Sequence, residues 1–342
     1  MKLLLVVAVL LLGACAKTAG PNPIGKRVEI VAPLGLPPIP ISDDNPPTAE
    51  TLALGKKLYF DTRLSADNTI ACASCHDPAK GFTDNRKTSL GFKQQTGNRS
   101  APTVLNAAYS PRQFWDGRAP SLEAQAAGPI SNPIEMNLPH EACVDKVNAD
   151  PEYRALFAKA FGEGAIQMVH IQKAIATFER TIVTGNSPFD RYQYGNDKSA
   201  LSESAARGLA LFMDRDRANC ATCHIVGAQS ALFTDGLFHN LGAGMSPEGE
   251  LTDPGRFAET KNEADRGAFK TPTLRNIAQT APYMHDGSVK TLRAVVDFYV
   301  GGGSSNPHLD KQIKPLALTG RDREDLVAFL ESLTGELARV KE

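Results

Sequence analysis

The sequence predicts a mainly α-helical chain built as two similar domains with long loops. Three observations carry that expectation. Amphipathic stretches recur with a 3.6-residue apolar period, while strand signals are short and weak. Twenty-three prolines and 28 glycines in 342 residues break the helices with long connections. Finally, Cys-x-x-Cys-His occurs twice, starting at Cys72 and Cys220, 148 residues or about one domain apart.

The chain opens with "MKLLLVVAVLLLGAC". One Lys, an apolar run too short to span a bilayer, and small residues before Cys15 read as an export signal. The ending "LGAC" resembles a bacterial lipoprotein signal, which would leave a lipidated N-terminal Cys15; a plain secretory signal is the alternative. The working part is then expected in the periplasm, tethered to a membrane. Residues 16–47 hold eight prolines and are expected as an extended tether. The N-terminal domain is expected over 48–198 and the C-terminal domain over 199–342.

Hydrophobic residues make up 42% and charged residues 22%, a soluble globular composition. With 37 basic and 38 acidic side chains the net charge is −1. No basic footprint for nucleic acid exists, although a local patch for a protein partner fits this balance.

Helices are expected where the apolar stripe is clearest. Ile171, Ala174, Ile175, Phe178 and Ile182 form one within 166–183, and 201–213 and 321–333 behave similarly. The flanks of the two cysteine motifs also repeat. "LALGKKLYFD" (52–61) precedes the first and "AARGLALFMD" (205–214) the second; "GFTDN" follows one and "LFTDG" the other. This is the pattern of a duplication.

Cys-x-x-Cys-His is the attachment pattern of c-type haem, with thioethers from both cysteines and the histidine beneath the iron. A disulfide would need no adjacent histidine. A redox Cys-x-x-Cys would sit in a βαβ pattern, and zinc would need further Cys or His at short spacing. Two covalent haems are therefore expected, on Cys72, Cys75 and His76 and on Cys220, Cys223 and His224. The domains become cytochrome-c-like. Cys143 is expected as a small buried hydrophobe.

Longer segments carry a resemblance. "LGKKLYFDTRLS", "APTVLNAAYSPRQFWDGRA", "LEAQAAGPISNPIEM", "FERTIV" and "FKTPTLRNIAQTAPYMHDGSVKTL" resemble the bacterial di-haem cytochrome c peroxidase family, which includes the MauG-type enzymes. The resemblance spans about Thr48 to Gly335. It implies that Glu135 and Gln125 line a peroxide pocket on the N-terminal haem, and that Trp115 lies between the haems as an electron relay. Many family peroxidases carry a distal His where this chain has Phe92, and no His occurs between His76 and His140, so the first iron is expected open. Where many relatives ligate the second iron with Met, this chain has Tyr299, the ligand of MauG-type enzymes. Met284 is the rival, and Tyr299 also completes an apolar face with Leu292, Val295 and Val296. A calcium ion would take the carbonyls of Thr280 and Pro282, with Ser100 replacing the family's Asn. His285 is expected near haem propionates, Arg275 on a propionate, and His140, His170, His239 and His308 in surface or core roles.

The implied function is reduction of hydrogen peroxide to water with electrons from a small periplasmic cytochrome c or cupredoxin. The alternative is a MauG-type enzyme that uses peroxide to oxidise a side chain of a partner protein at long range. A non-catalytic electron carrier is the third reading. A homodimer is left open.

Overall fold

The structure is a computed structural model that describes residues 22–341, so Cys15 and the export signal lie outside the described residues. Its α-helices are α1 Ala49–Tyr59, α2 Cys72–Cys75, α3 Leu122–Ser131, α4 His140–Ala149, α5 Pro151–Phe161, α6 Met168–Glu179, α7 Pro188–Tyr194, α8 Glu203–Met213, α9 Phe257–Thr260, α10 Leu292–Val300 and α11 Gly320–Glu331. Three antiparallel two-stranded ladders join them: β1 Glu29–Val31 with β6 Arg339–Lys341, β2 Thr184–Gly185 with β5 Glu336–Leu337, and β3 Phe238–His239 with β4 Phe269–Lys270. The mainly helical expectation holds.

Capping sets the helix ends. The 201–213 stripe starts at Glu203 because the Ser202 side chain accepts from the Ala205 amide. The 321–333 stripe opens at Gly320 under a Thr319/Asp322 capping box. The 166–183 stripe is helical from Met168 to Glu179, and Ile171, Ala174 and Ile175 on it are buried in the first core.

The two halves share one packing device. In the first, α1 crosses α6; in the second, α8 crosses α11. Gly55 and Gly208 stand at these crossings. A Cβ on Gly55 would lie 1.9 Å from the Ala174 carbonyl oxygen, and one on Gly208 1.9 Å from that of Asp325. The glycine that the two flanking sequences share is thus a helix contact. Phe189 on α7 packs into the second core with Phe212, Phe233 and Phe329. The chain therefore joins the second core before residue 199, where that domain was expected to begin.

Residues 22–47 are extended, but they are bonded along their length rather than hanging as a tether. The Ile24 amide donates to the Ala160 carbonyl, β1 pairs with the C-terminal β6, and the Leu34 carbonyl accepts from the Asn186 amide. Tyr109 Oη donates to the Pro37 carbonyl, and Lys173 Nζ to that of Asp44. The strap touches both halves and holds them in one arrangement.

Gly55→Ala and Gly208→Ala should each destabilise the protein by about 1–3 kcal/mol through overpacking. Gly320→Ala, whose Cβ would meet nothing within 4 Å, should be neutral or stabilising by up to about 1 kcal/mol. Denaturant unfolding of the three variants checks the contrast.

Candidate active site

Each Cys-x-x-Cys-His motif folds as one tight turn, α2 for the first and a 3₁₀ turn at Cys220–Thr222 for the second. No disulfide joins any of the five cysteines of the described residues, and Cys143 is fully buried in the first core, as expected. Nδ1 of His76 lies 3.3 Å from the Phe82 carbonyl oxygen, and Nδ1 of His224 lies 2.8 Å from that of Phe233. A carbonyl only accepts, so Nδ1 carries the proton and Nε2 keeps a free lone pair. Burial lowers both imidazole pKa values and favours this neutral form, which binds iron. Phe82 and Phe233 both adopt left-handed backbone, φ 56° and 54°. That conformation is costly for an aromatic residue. Here it turns each carbonyl toward its histidine.

A cavity of about 890 Å³ opens above the second motif. Cys220, Cys223, His224, Trp115, Met284 and Tyr299 are on its wall. Both rivals for the second distal position therefore reach the same space. Tyr299 projects from α10, and burial raises its phenol pKa, with the nearby Cys220 and Cys223 adding to the effect. Around the first motif, Glu179 Oε2, near Cys72, is buried without a hydrogen-bond partner, and the Ser89 side chain lies against Cys75. Such an orphan is rare in a complete interior. With paired thiols and a histidine lone pair at each motif, it fits an embedded haem.

Glu135 follows α3 in a turn, its amide donating to the Asn132 carbonyl. Burial raises its carboxyl pKa, and Arg118 and Asn132 partly oppose the rise. It also acts electrostatically on Cys75, which places it beside the first haem site. The Phe92 amide donates to the Glu135 carbonyl at 2.7 Å, so the Phe92 segment is fastened to the acid-bearing turn. Gln125 stands half-buried on α3, ten residues before Glu135.

Trp115 ties the halves together. Its indole Nε1 donates to the Ser100 carbonyl at 2.9 Å, and its own carbonyl accepts from the Lys270 amide at 2.8 Å. The Ser100 amide donates to the His285 carbonyl at 2.7 Å. Ser100, Thr280 and Pro282 all line this cavity. Ser100 Oγ is already 3.4 Å from the Arg86 carbonyl, and none of the three brings a carboxylate, so they form at most a weak calcium site.

Sequence reasoning missed Arg99, which clasps the interface. It bonds Asp253 of the second half through two nitrogens, at 2.7 and 2.8 Å, and also Asp116 of the first. Its guanidinium lies over Phe269, which stacks on His285 at 3.6 Å between ring centroids. Nothing local marks an arginine whose partner lies 154 residues away. Arg275 is a correction. Instead of a propionate, it takes Asp190 through two nitrogens and the Ala231 and Gly35 carbonyls, fully buried. His239 is held through both ring nitrogens by Asp310 and Asp235 and is not free for iron, and Nε2 of His140 lies 2.9 Å from the Ala127 carbonyl oxygen.

Two successive histidine-bearing motifs in two like-folded halves define a di-haem protein of cytochrome c type. The family model for di-haem cytochrome c peroxidase matches residues 49–198, and that for cytochrome c matches 205–334. The methylamine utilization protein MauG of Methylorubrum extorquens is 44% identical over 303 residues, 88% of this chain and 83% of that protein. The cytochrome c551 peroxidase of Nitrosomonas europaea is 42% identical over 300 residues, 87% of this chain and 84% of that one. The crystal structure of a MauG-like protein associated with microbial copper homeostasis superposes with a TM-score of 0.78 at 34% identity, covering 89% of this chain and 95% of that one. The chain belongs to the bacterial di-haem cytochrome c peroxidase and MauG family. It is an oxidoreductase, a di-haem peroxidase acting on hydrogen peroxide.

The Arg99 clasp has a pH signature. Burial raises a carboxyl pKa, but Arg99, joined by Arg118 at Asp116, outweighs it and holds Asp116 and Asp253 below the usual range. Their contribution is present above the unfolded carboxyl pKa of about 4 and is lost as pH falls below it. Arg99→Met should cost about 3 kcal/mol at neutral pH, and urea midpoints measured across pH should show its deficit shrinking in acid.

Proposed function

We propose that this periplasmic enzyme reduces hydrogen peroxide to water at a haem held covalently by Cys72, Cys75 and His76. Cys220, Cys223 and His224 would hold a second covalent haem, which would supply the route for electrons from a small cytochrome c or cupredoxin. One observation carries the reading: Glu135, its carboxyl pKa raised by burial, stands beside the first motif on a turn fastened to Phe92, which has no atom to ligate iron. The haems, when bound, supply the redox chemistry and the coordination position for peroxide.

The chain's own residues do the rest. Glu135 takes the proton from the near oxygen of hydrogen peroxide and returns it to the far one, so that water leaves. Gln125 orients the substrate by hydrogen bonding. Trp115, bonded into both halves, lies on the electron path. Tyr299, in preference to Met284, would hold the second haem's iron, because a buried phenol needs a polar partner. Ser100, Thr280 and Pro282 hold calcium weakly, and Cys15 carries a lipid anchor.

Phe92 and Tyr299, with the likeness to MauG, also support the second reading, in which oxidising charge shared through Trp115 acts on a partner protein. Steady-state assays separate the two. Peroxide consumption should rise steeply when a reduced cytochrome c or cupredoxin is supplied; no rise would transfer the case to a protein substrate. Glu135→Gln should lower peroxide turnover about 10²- to 10⁴-fold while both haems stay attached by mass. Full turnover in that variant would remove Glu135 from the reaction.

A further inference from the structure

Lys270 lines the cavity above the second motif and has no carboxylate beside it among the described residues. Lys270 ends β4 and lies on the cavity wall, next to Thr271 and near Trp115, to whose carbonyl its amide is bonded. Its Nζ donates to Ser110 Oγ at 2.6 Å and to the Arg112 carbonyl at 2.8 Å. Both acceptors are neutral. An ammonium has three protons to donate, so one remains. Among the described residues no carboxylate pairs with it, whereas Arg99, Arg118 and Arg275 around the same interface all have acids. Burial without a partner pushes the Lys270 pKa down to about 8. A half-buried ammonium with a proton still to donate is matched by an anionic partner in the cavity.

We propose that Lys270 binds a propionate of the haem in the C-terminal cavity. The inference rests on the reading that this cavity holds haem, whose propionates are its only carboxylates. Ser110 and Arg112 belong to the N-terminal half, so the ammonium also pins that half to the cofactor edge. Lys270 is a cofactor-binding and positioning residue: its positive charge favours the reduced haem and sets the potential at which electrons enter.

The test is a redox titration of the full di-haem protein and its variants, with haem attachment checked by mass. Lys270→Met should lower the reduction equilibrium constant of the second haem about tenfold, about 59 mV for one electron. The first haem's potential should stay put. Ser110→Ala, which keeps the charge, should leave both unchanged. Lys270→Arg should preserve the potential but shift the propionate bending frequency in resonance Raman spectra, because a planar fork replaces a point donor. An unchanged potential in Lys270→Met, or an equal fall in Ser110→Ala, overturns the proposal. Should Lys270→Met fail to mature, an unmoved propionate band in Lys270→Arg overturns it alone. Absence of the second haem from the wild-type protein would instead defeat the reading beneath it.

Discussion

The imidazole–carbonyl bond in each half is the interaction on which the structure depends. His76 and His224 each surrender Nδ1–H to the carbonyl of a phenylalanine held in left-handed backbone. The bond fixes the tautomer, the ring plane and the direction of Nε2, and therefore where a haem plane lies. Around them stand the glycine helix crossings, Trp115 bonded into both halves, and the strap and Arg99 clasp that keep the halves in one relation.

The halves are copies whose differences assign their roles. Asn106 and Asn276, Phe114 and Met284, and the helix caps Ser121 and Thr291 match in backbone, each pair 170 residues apart. By the same offset Tyr299 corresponds to Pro129, which offers iron no ligand atom. Where one half can close its distal face from this helix, the other cannot. Behind the haem sites, the Gly55 and Gly208 crossings align Tyr59 and Glu179 of the first half with Phe212 and Leu330 of the second. At these aligned positions only the first half carries an acid, and burial pushes Glu179 up to about 8.

What was legible in the sequence was local or repeated. The two motifs, the phenylalanine of "GFTDN" and "LFTDG", and the stripe on α6 each show themselves within a few residues. Interactions across long separations left no such trace. Arg275 sits in a segment suggestive of a cofactor contact, yet its partner Asp190 lies 85 residues away and claims it. The prolines of 22–47 read as a free tether because proline excludes helix; extended backbone serves a packed strap equally well. The Phe189 contribution to the second core was hidden because a domain boundary read from sequence follows the repeats, while packing follows contacts.

The central claim is an asymmetry between the two irons: one distal face open beneath Glu135, the other closed by Tyr299. Electron paramagnetic resonance of the resting ferric protein tests it most directly. The account predicts one high-spin haem and one low-spin haem with an anionic oxygen ligand, with Tyr299→Phe changing only the low-spin signal. Two low-spin haems, or a low-spin signal indifferent to Tyr299→Phe, would contradict it.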